Sequence, residues 1–118
     1  MNSTEPERMD LLRGTLDLLI LRTLLAGPRH GHAIAKHIQR TSEELLQVET
    51  GSLYPALYRL EARRWIAASW ELSDKGKRAR YYRLTSSGRK QLASEQSKWQ
   101  ALSRAIGLIL KPSKQEAE

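Results

Sequence analysis

The chain has 118 residues, with 20 Lys and Arg, 13 Asp and Glu and no cysteine, so its formal net charge is +7. This length suits one domain, and the lack of cysteine excludes a disulfide scaffold, a thiolate zinc site and a catalytic cysteine. The longest apolar stretch, residues 16–26, contains Asp17 and Arg22 and is too short to span a bilayer. Residues 1–8 are polar and unlike a signal peptide, so we expect a cytoplasmic protein.

The positive charge is concentrated in one part of the chain. Residues 71–90 contain seven basic and two acidic side chains, whereas the other 98 residues are nearly neutral. Local excess of this kind favours a polyanionic partner, with nucleic acid before an anionic membrane. A solvated charged loop explains the same composition equally well.

The first half of the chain predicts three helices. Residues 1–9 are expected to form a flexible tail, and Asp10 offers an N-cap to a strongly apolar helix that ends at Gly27. A second helix is predicted over residues 31–41. A third opens at residues 50–52 with Thr50 or Ser52 as its cap, and it ends near Arg64. Its apolar spacing predicts a buried stripe formed by Leu53, Leu57 and Leu60.

A change of period marks a β-hairpin in the second half. Residues 65–72 and 80–85 are rich in aromatic and β-branched side chains and flank a turn centred on Gly76. A final helix over residues 87–110 follows, capped by Thr85 or Ser86. Apolar residues recur along it at heptad spacing, interrupted by Glu95, and this pattern predicts a seam for a partner helix. The predicted dimerisation residues are Leu92, Trp99, Leu102, Ile106 and Ile109.

This order of elements predicts a mainly α fold, a winged helix-turn-helix with a two-stranded β wing and a C-terminal dimerisation helix. The predicted units are a tail (1–9), a DNA-binding domain (10–85), the dimerisation helix (86–111) and a polar tail (112–118). The third helix would enter a major groove, while the wing would reach phosphates or the adjacent minor groove. The candidate DNA-binding residues are Ser52, Tyr54, Pro55, Tyr58, Arg59, Arg63, Lys75, Lys77, Arg78 and Arg80.

Some of these residues have alternative roles. We favour phosphate contacts for Arg59 and Arg63, although Arg59 could instead pair with a carboxylate such as Glu61 or one further off. Tyr58 suits a phosphate contact and half-buried packing equally well. Trp65 and Trp70 are expected to pack in the core or on a strand face, and at least one of the adjacent residues Tyr81 and Tyr82 is expected in the core.

Three motifs of the sequence are distinctive: GSLYPALYRLE at residues 51–61, HGHAI at residues 30–34 and RYYRLTSSG at residues 80–88. The first resembles the recognition-helix motif of the PadR family of transcriptional regulators, and the second resembles the opening of that family's second helix. The third resembles the strand that leaves the wing and the start of the last helix. The family commonly has Tyr at the position of His32 and Gly at the position of Arg64. A positive φ at Arg64 would cost about 1 kcal/mol, and the alternative role of this arginine is an added phosphate contact.

The resemblance implies a homodimer that binds double-stranded DNA at an inverted repeat, usually as a repressor. Some members release DNA when a small aromatic molecule binds, and Trp99 could stack on such an effector. A hydrophobic contact at the dimer interface is the simpler role for Trp99. The alternative function is a winged-helix module that binds a protein or RNA partner.

The residues do not indicate an enzyme. No glycine-rich phosphate loop or nucleophile motif is present, and the spacing of His30, His32 and His37 places no pair at i, i+4. We therefore predict no catalytic residue, no metal, no cofactor and no membrane partner, and we expect these histidines to cap a helix or lie at the surface.

Overall fold

The computed structural model describes the backbone of residues 4–112 and the side chains of residues 14–112. The described part contains four helices and a small antiparallel sheet, so the predicted fold class, mainly α with a β wing, is confirmed. The elements in chain order are α1 (Thr4–Leu25), β1 (Arg29–His30), α2 (Gly31–Thr41), α3 (Thr50–Ala62), β2 (Ile66–Leu72), β3 (Arg78–Leu84) and α4 (Ser86–Leu110).

The first helix begins earlier than the sequence pattern predicts. It starts at Thr4, so Asp10 lies inside it and is not its N-cap, and the predicted flexible tail over residues 1–9 is wrong from Thr4 onward. Pro6 falls in the first turn, where its missing N–H costs no helical hydrogen bond, and the Glu, Arg and Met residues that follow are good helix formers. Residues 1–3 and residues 113–118 of the predicted polar tail lie outside the described part.

The core joins the first three helices to the sheet and to the first turns of α4. The predicted stripe on α3 is buried, and Ala56 completes it. Tyr82 supplies the core tyrosine that the strand pattern predicted, while Tyr81 is half-buried. The fully buried large side chains are Ile20, Leu21, Ile34, Leu57, Leu60 and Ile66.

The sheet has three strands in the order β1-β3-β2, not two. β1 pairs Arg29 with Tyr82 and His30 with Tyr81. The hairpin pairs Ile66 with Leu84 at its base and Leu72 with Arg78 at its end. Two residues are too few to give a strand periodicity, which is why the sequence pattern did not predict β1.

Side-chain caps start two of the helices. The Nδ1 atom of His30 accepts a 3.1 Å hydrogen bond from the Ala33 amide, so this histidine caps α2 as expected. Thr85 caps α4, and its hydroxyl accepts from the Gly88 amide at 3.0 Å. The predicted N-cap of α3, Thr50 or Ser52, is wrong. The N-cap is Glu49, whose carbonyl oxygen accepts hydrogen bonds from the amides of Ser52 and Leu53.

The end of α3 is a Schellman motif built on Arg64. Arg64 has φ 62°, the Arg64 amide bonds to the Glu61 carbonyl at 2.9 Å, and the Trp65 amide bonds to the Leu60 carbonyl at 3.1 Å. Arg64 therefore has the positive φ for which a cost of about 1 kcal/mol was expected, since an arginine occupies a left-handed position that favours glycine.

Candidate nucleic-acid interface

The solvent face of α3 is aromatic. Tyr54, Pro55 and Tyr58 lie on it, opposite the buried stripe, and Tyr58 is 76% exposed. Ser52, at the flank of this face, is half-buried. A helix that buries one stripe and presents tyrosine hydroxyls on the other side can offer hydrogen bonds to a nucleic-acid groove or backbone.

Tyr54 is held by the start of α2. A Cβ atom at Gly31 would lie only 2.8 Å from the Tyr54 hydroxyl oxygen and 3.0 Å from its ring. Gly31 therefore lets the tyrosine ring pack against the backbone of α2. This contact fixes α3 relative to α2 and leaves Tyr54 45% exposed.

The two arginines of α3 are turned toward neighbouring elements. The Nη2 atom of Arg59 donates a 2.8 Å hydrogen bond to the Asp17 carboxylate on α1. The Arg63 guanidinium lies over the Trp65 ring, 5.1 Å from its centroid. The structure therefore brings neither to the aromatic face, and the carboxylate that pairs with Arg59 is Asp17 rather than Glu61.

Arg80 joins the wing to α3. Its Nη2 atom donates a 2.6 Å hydrogen bond to the Glu61 carboxylate. This ion pair is half-exposed, so it contributes little stability, about 0–1 kcal/mol. It shows that this side of the wing adjoins the C-terminal half of α3. A phosphate contact by Arg80 would have to compete with Glu61.

The wing turn presents the other predicted cations. The Ser73 amide bonds to the Lys77 carbonyl at 2.7 Å, and Gly76 adopts φ 77°, which glycine accommodates without strain. Lys75, Lys77 and Arg78 are exposed, and within residues 14–112 the structure pairs none of them with a carboxylate. Such unpaired cations can bind phosphate.

A second basic group lies around α2, and the sequence analysis missed it. Burial lowers the pKa of His37, and the neighbouring charges of Arg29, Arg22 and Arg40 lower it further. The Arg29 Nε atom is buried without a hydrogen-bond partner in the described part of the chain. These residues come from three elements, so no local sequence pattern could have grouped them.

The histidines do not form a metal centre in this structure. Among the described side chains, no group of three His, Asp or Glu residues is placed to hold a metal ion. The rings of His30 and His32 are stacked with centroids 6.4 Å apart, and the Tyr81 ring meets His30 edge-on at 5.4 Å.

Helix α4 leaves most of its predicted seam uncovered. Trp99, Leu102, Ile106 and Ile109 are exposed, the last at 80%. Leu92 corrects the prediction, because it is buried in the core of its own chain at 3% exposure and is not available to a partner helix. It lies six residues after Ser86, in the part of α4 that packs on the core.

A cavity of about 240 Å³ lies between α1, α3 and α4. Its polar wall contains Asp17, Arg59, Arg63 and Glu95, and its apolar wall includes Leu18 and Trp65. Glu95 precedes Trp99 by four residues, so the cavity wall and the seam share one side of α4.

The described helices include none that is long and apolar enough to cross a membrane. The model of the transcriptional regulator PadR-like family matches residues 20–94, which include α2, α3, the wing and the start of α4. An uncharacterised protein from Lysinibacillus sphaericus is 36% identical over 104 residues, covering 87% of this chain and 94% of that protein.

Solved structures show the same architecture. A transcriptional regulator from Clostridium thermocellum has a TM-score of 0.79 and 31% identity, covering 86% of this chain and 99% of that one. A PadR family transcriptional regulator from Eggerthella lenta has a TM-score of 0.76 and 29% identity, covering 93% and 94%. The chain belongs to the PadR-like family and is a DNA-binding transcriptional regulator, not an enzyme.

Proposed function

We propose that this regulator is a cytoplasmic homodimer that represses transcription by occupying an inverted repeat in duplex DNA. The observation that carries the proposal is the pairing of two surfaces by the Arg80–Glu61 bond: the exposed face of α3 and the wing with its unpaired cations. In this arrangement α3 enters a major groove, and the wing follows the backbone toward the adjacent minor groove.

We assign the candidate DNA-binding roles according to the position and contacts of each side chain. Ser52, Tyr54, Pro55 and Tyr58 lie on or beside the solvent face of α3 and are the candidates for contacts within the major groove. Arg63 is exposed near the end of α3, and its guanidinium would have to leave the Trp65 ring to reach a phosphate. Arg59 is committed to Asp17, so its main role is to hold α3 against α1.

The exposed half of α4 supports the dimer. Trp99, Leu102, Ile106 and Ile109 follow heptad spacing on one side of the helix, and an apolar stripe of this length is stable in water when a second helix covers it. We therefore assign residues 10–85 to DNA binding and residues 86–111 to dimerisation. Two-fold symmetry of the dimer would then require an inverted repeat in the DNA.

Trp99 also supports an aromatic effector. Its indole is 46% exposed. Trp99 lies one helical turn after Glu95, which lines the cavity. A small aromatic compound that stacks on this ring would quench its fluorescence. A Trp99→Ala variant, which retains Trp65 and Trp70, should lose that quenching. Equal quenching in this variant would remove Trp99 from the proposal.

The DNA proposal is tested by selecting duplexes from a random 30-bp pool with the purified protein. We expect enrichment of an inverted repeat and a steep loss of affinity as the salt concentration rises, because phosphate contacts release counterions. Selected and scrambled duplexes that bind with equal affinity would contradict sequence-specific binding.

A charge-matched pair of variants locates the phosphate contacts. Lys75→Glu with Lys77→Glu should weaken binding to every duplex, since phosphate contacts carry no sequence information. Lys90→Glu with Arg104→Glu places the same charge change on α4, on the side away from the seam. If both variants weaken binding equally, net charge rather than the wing governs affinity.

A further inference from the structure

The wing has an exposed apolar surface that the charge pattern did not indicate. The hairpin register places Trp70 opposite Arg80 and Leu72 opposite Arg78, on the same sheet face as the buried residue Ile66. Trp70 is nevertheless 58% exposed and Leu72 is 69% exposed, because the strands extend beyond the helices that cover Ile66. Trp65 is half-buried against the core, whereas Trp70 lies on the outer part of this face, beyond the part that packs on the core.

The two faces of this part of the wing differ in chemistry. On the face that carries Trp70, the Arg78 guanidinium lies 5.5 Å from the centroid of the indole ring. On the other face, Glu71 accepts a 2.8 Å hydrogen bond from the Ser69 hydroxyl. The exposed apolar residues thus lie among cations, and the only carboxylate of this strand points away from them.

This face adjoins the recognition helix. Arg80, the cross-strand partner of Trp70, is hydrogen-bonded to Glu61 on α3. Glu61 lies on the flank of α3 that borders Tyr54 and Tyr58. The Trp70 face of the wing therefore adjoins the exposed face of α3 through the Arg80–Glu61 bond.

We infer that Trp70, Leu72 and Arg78 contact the deoxyribose and phosphate wall of the minor groove next to the groove that α3 occupies. The inference rests on the proposed function. Duplex DNA is the occupant that matches an apolar surface bordered by cations and continuous with α3, since sugars offer apolar edges and phosphates offer negative charge. The side chains of Trp70 and Leu72 supply non-ionic affinity, and Arg78 supplies one phosphate contact per protomer.

The test measures two quantities for each variant: its affinity for a duplex enriched from a random pool by the wild-type protein, and the dependence of that affinity on salt concentration. Trp70→Ala should lower affinity about five- to twentyfold without changing the slope of log affinity against log salt, because no counterion is released by an indole contact. Arg78→Ala should lower affinity and also reduce that slope by about 2 per dimer.

Arg83→Ala is the matched control, since Arg83 is an exposed arginine of the same strand on the opposite face. It should change affinity less than twofold. Circular dichroism checks that each variant is folded, and Leu72→Ser tests the same face if Trp70→Ala does not fold.

Two results would overturn the inference and leave the proposed function standing. One is wild-type affinity in both Trp70→Ala and Leu72→Ser while the wild-type protein still selects an inverted repeat. The other is dissociation of the dimer by Trp70→Ala in sedimentation, which would make this face a contact between copies. If the wild-type protein shows no preference among duplexes, the proposed function itself fails.

Discussion

Helices α3 and α4 carry similar apolar patterns but differ in what covers them. The stripe of α3, which includes Leu53, Leu57 and Leu60, is at most 2% exposed because α1, α2 and the sheet pack around it. On α4 only the first turns are covered, and the side chains from Trp99 to Leu110 are exposed. Heptad or helical spacing therefore predicts that an apolar stripe will be buried, but it does not predict whether the same chain or a second chain covers that stripe.

The difference predicts that substitutions on α4, unlike those on α3, act through association and depend on protein concentration. A covered stripe contributes to the folding of one chain, so its loss destabilises each protomer. An uncovered stripe contributes when a second chain binds, so its loss acts through association and changes with protomer concentration. Substitutions on the two helices should separate these effects.

The largest effect is expected from Leu57→Ala on α3. Leu57 is 1% exposed, and its truncation removes buried apolar contacts and leaves a cavity, which costs about 2–5 kcal/mol in the free energy of unfolding. Urea unfolding at one fixed protomer concentration measures the loss. A cost below about 1 kcal/mol would show that the core around α3 is loosely packed or repacks on truncation.

The next effect is expected from Leu102→Ser with Ile106→Ser on α4. Both side chains are exposed in the single chain, so the protomer should keep its helical circular dichroism. The dissociation constant of the dimer should rise at least tenfold, about 1.4 kcal/mol or more, when two apolar contacts per protomer are lost. Sedimentation over a range of concentrations measures this, and an unchanged constant would place the dimer contact elsewhere.

Local patterns predicted most of the fold, whereas contacts between distant residues escaped them. The bounds of α2, the caps of His30 and Thr85 and the positive φ at Arg64 depend on neighbours within a few positions. The Arg59–Asp17 bond spans 42 positions, so no periodicity could pair those two residues. The start of α1 was missed because its first residues lack apolar periodicity, and Leu92 fitted the heptad although its own chain covers it.

A smaller effect is expected at the end of α3, from Arg64→Gly. Arg64 has a positive φ, and its carbonyl accepts hydrogen bonds from the hydroxyls of Thr85 and Ser87, which hold this conformation in place. Glycine would relieve the strain at the expense of a more flexible unfolded chain, so we expect the free energy of unfolding to rise by about 0.5–1 kcal/mol.

Arg64→Ala is the control for that variant. Alanine removes the same charge and the same long side chain but keeps the Cβ atom, so it should give no gain in stability. Equal stabilisation by both substitutions would mean that the arginine side chain, rather than its backbone conformation, is unfavourable. If both variants lose the same DNA affinity, the guanidinium of Arg64 contacts a phosphate.

The smallest effect on the free energy of unfolding is expected from the titration of His37. It concerns the folding of the single protomer and not the seam of α4. All three histidines lie in residues 30–37, and neither α3 nor α4 contains one. Burial and the neighbouring Arg29, Arg22 and Arg40 lower the pKa of His37 below its usual value of 6.5, so the folded protein favours the neutral ring. The unfolded chain therefore binds more protons between the two pKa values, and the free energy of unfolding rises with pH across that interval.

His37→Gln removes this contribution, so the wild-type protein should gain stability relative to the variant as the pH is raised from 5 to 8 in urea unfolding. A difference that is constant with pH would show that the neighbouring arginines and burial do not disfavour the charged ring, and a change in dimer dissociation that depends on His37 would mean that the α4 seam is coupled to α2.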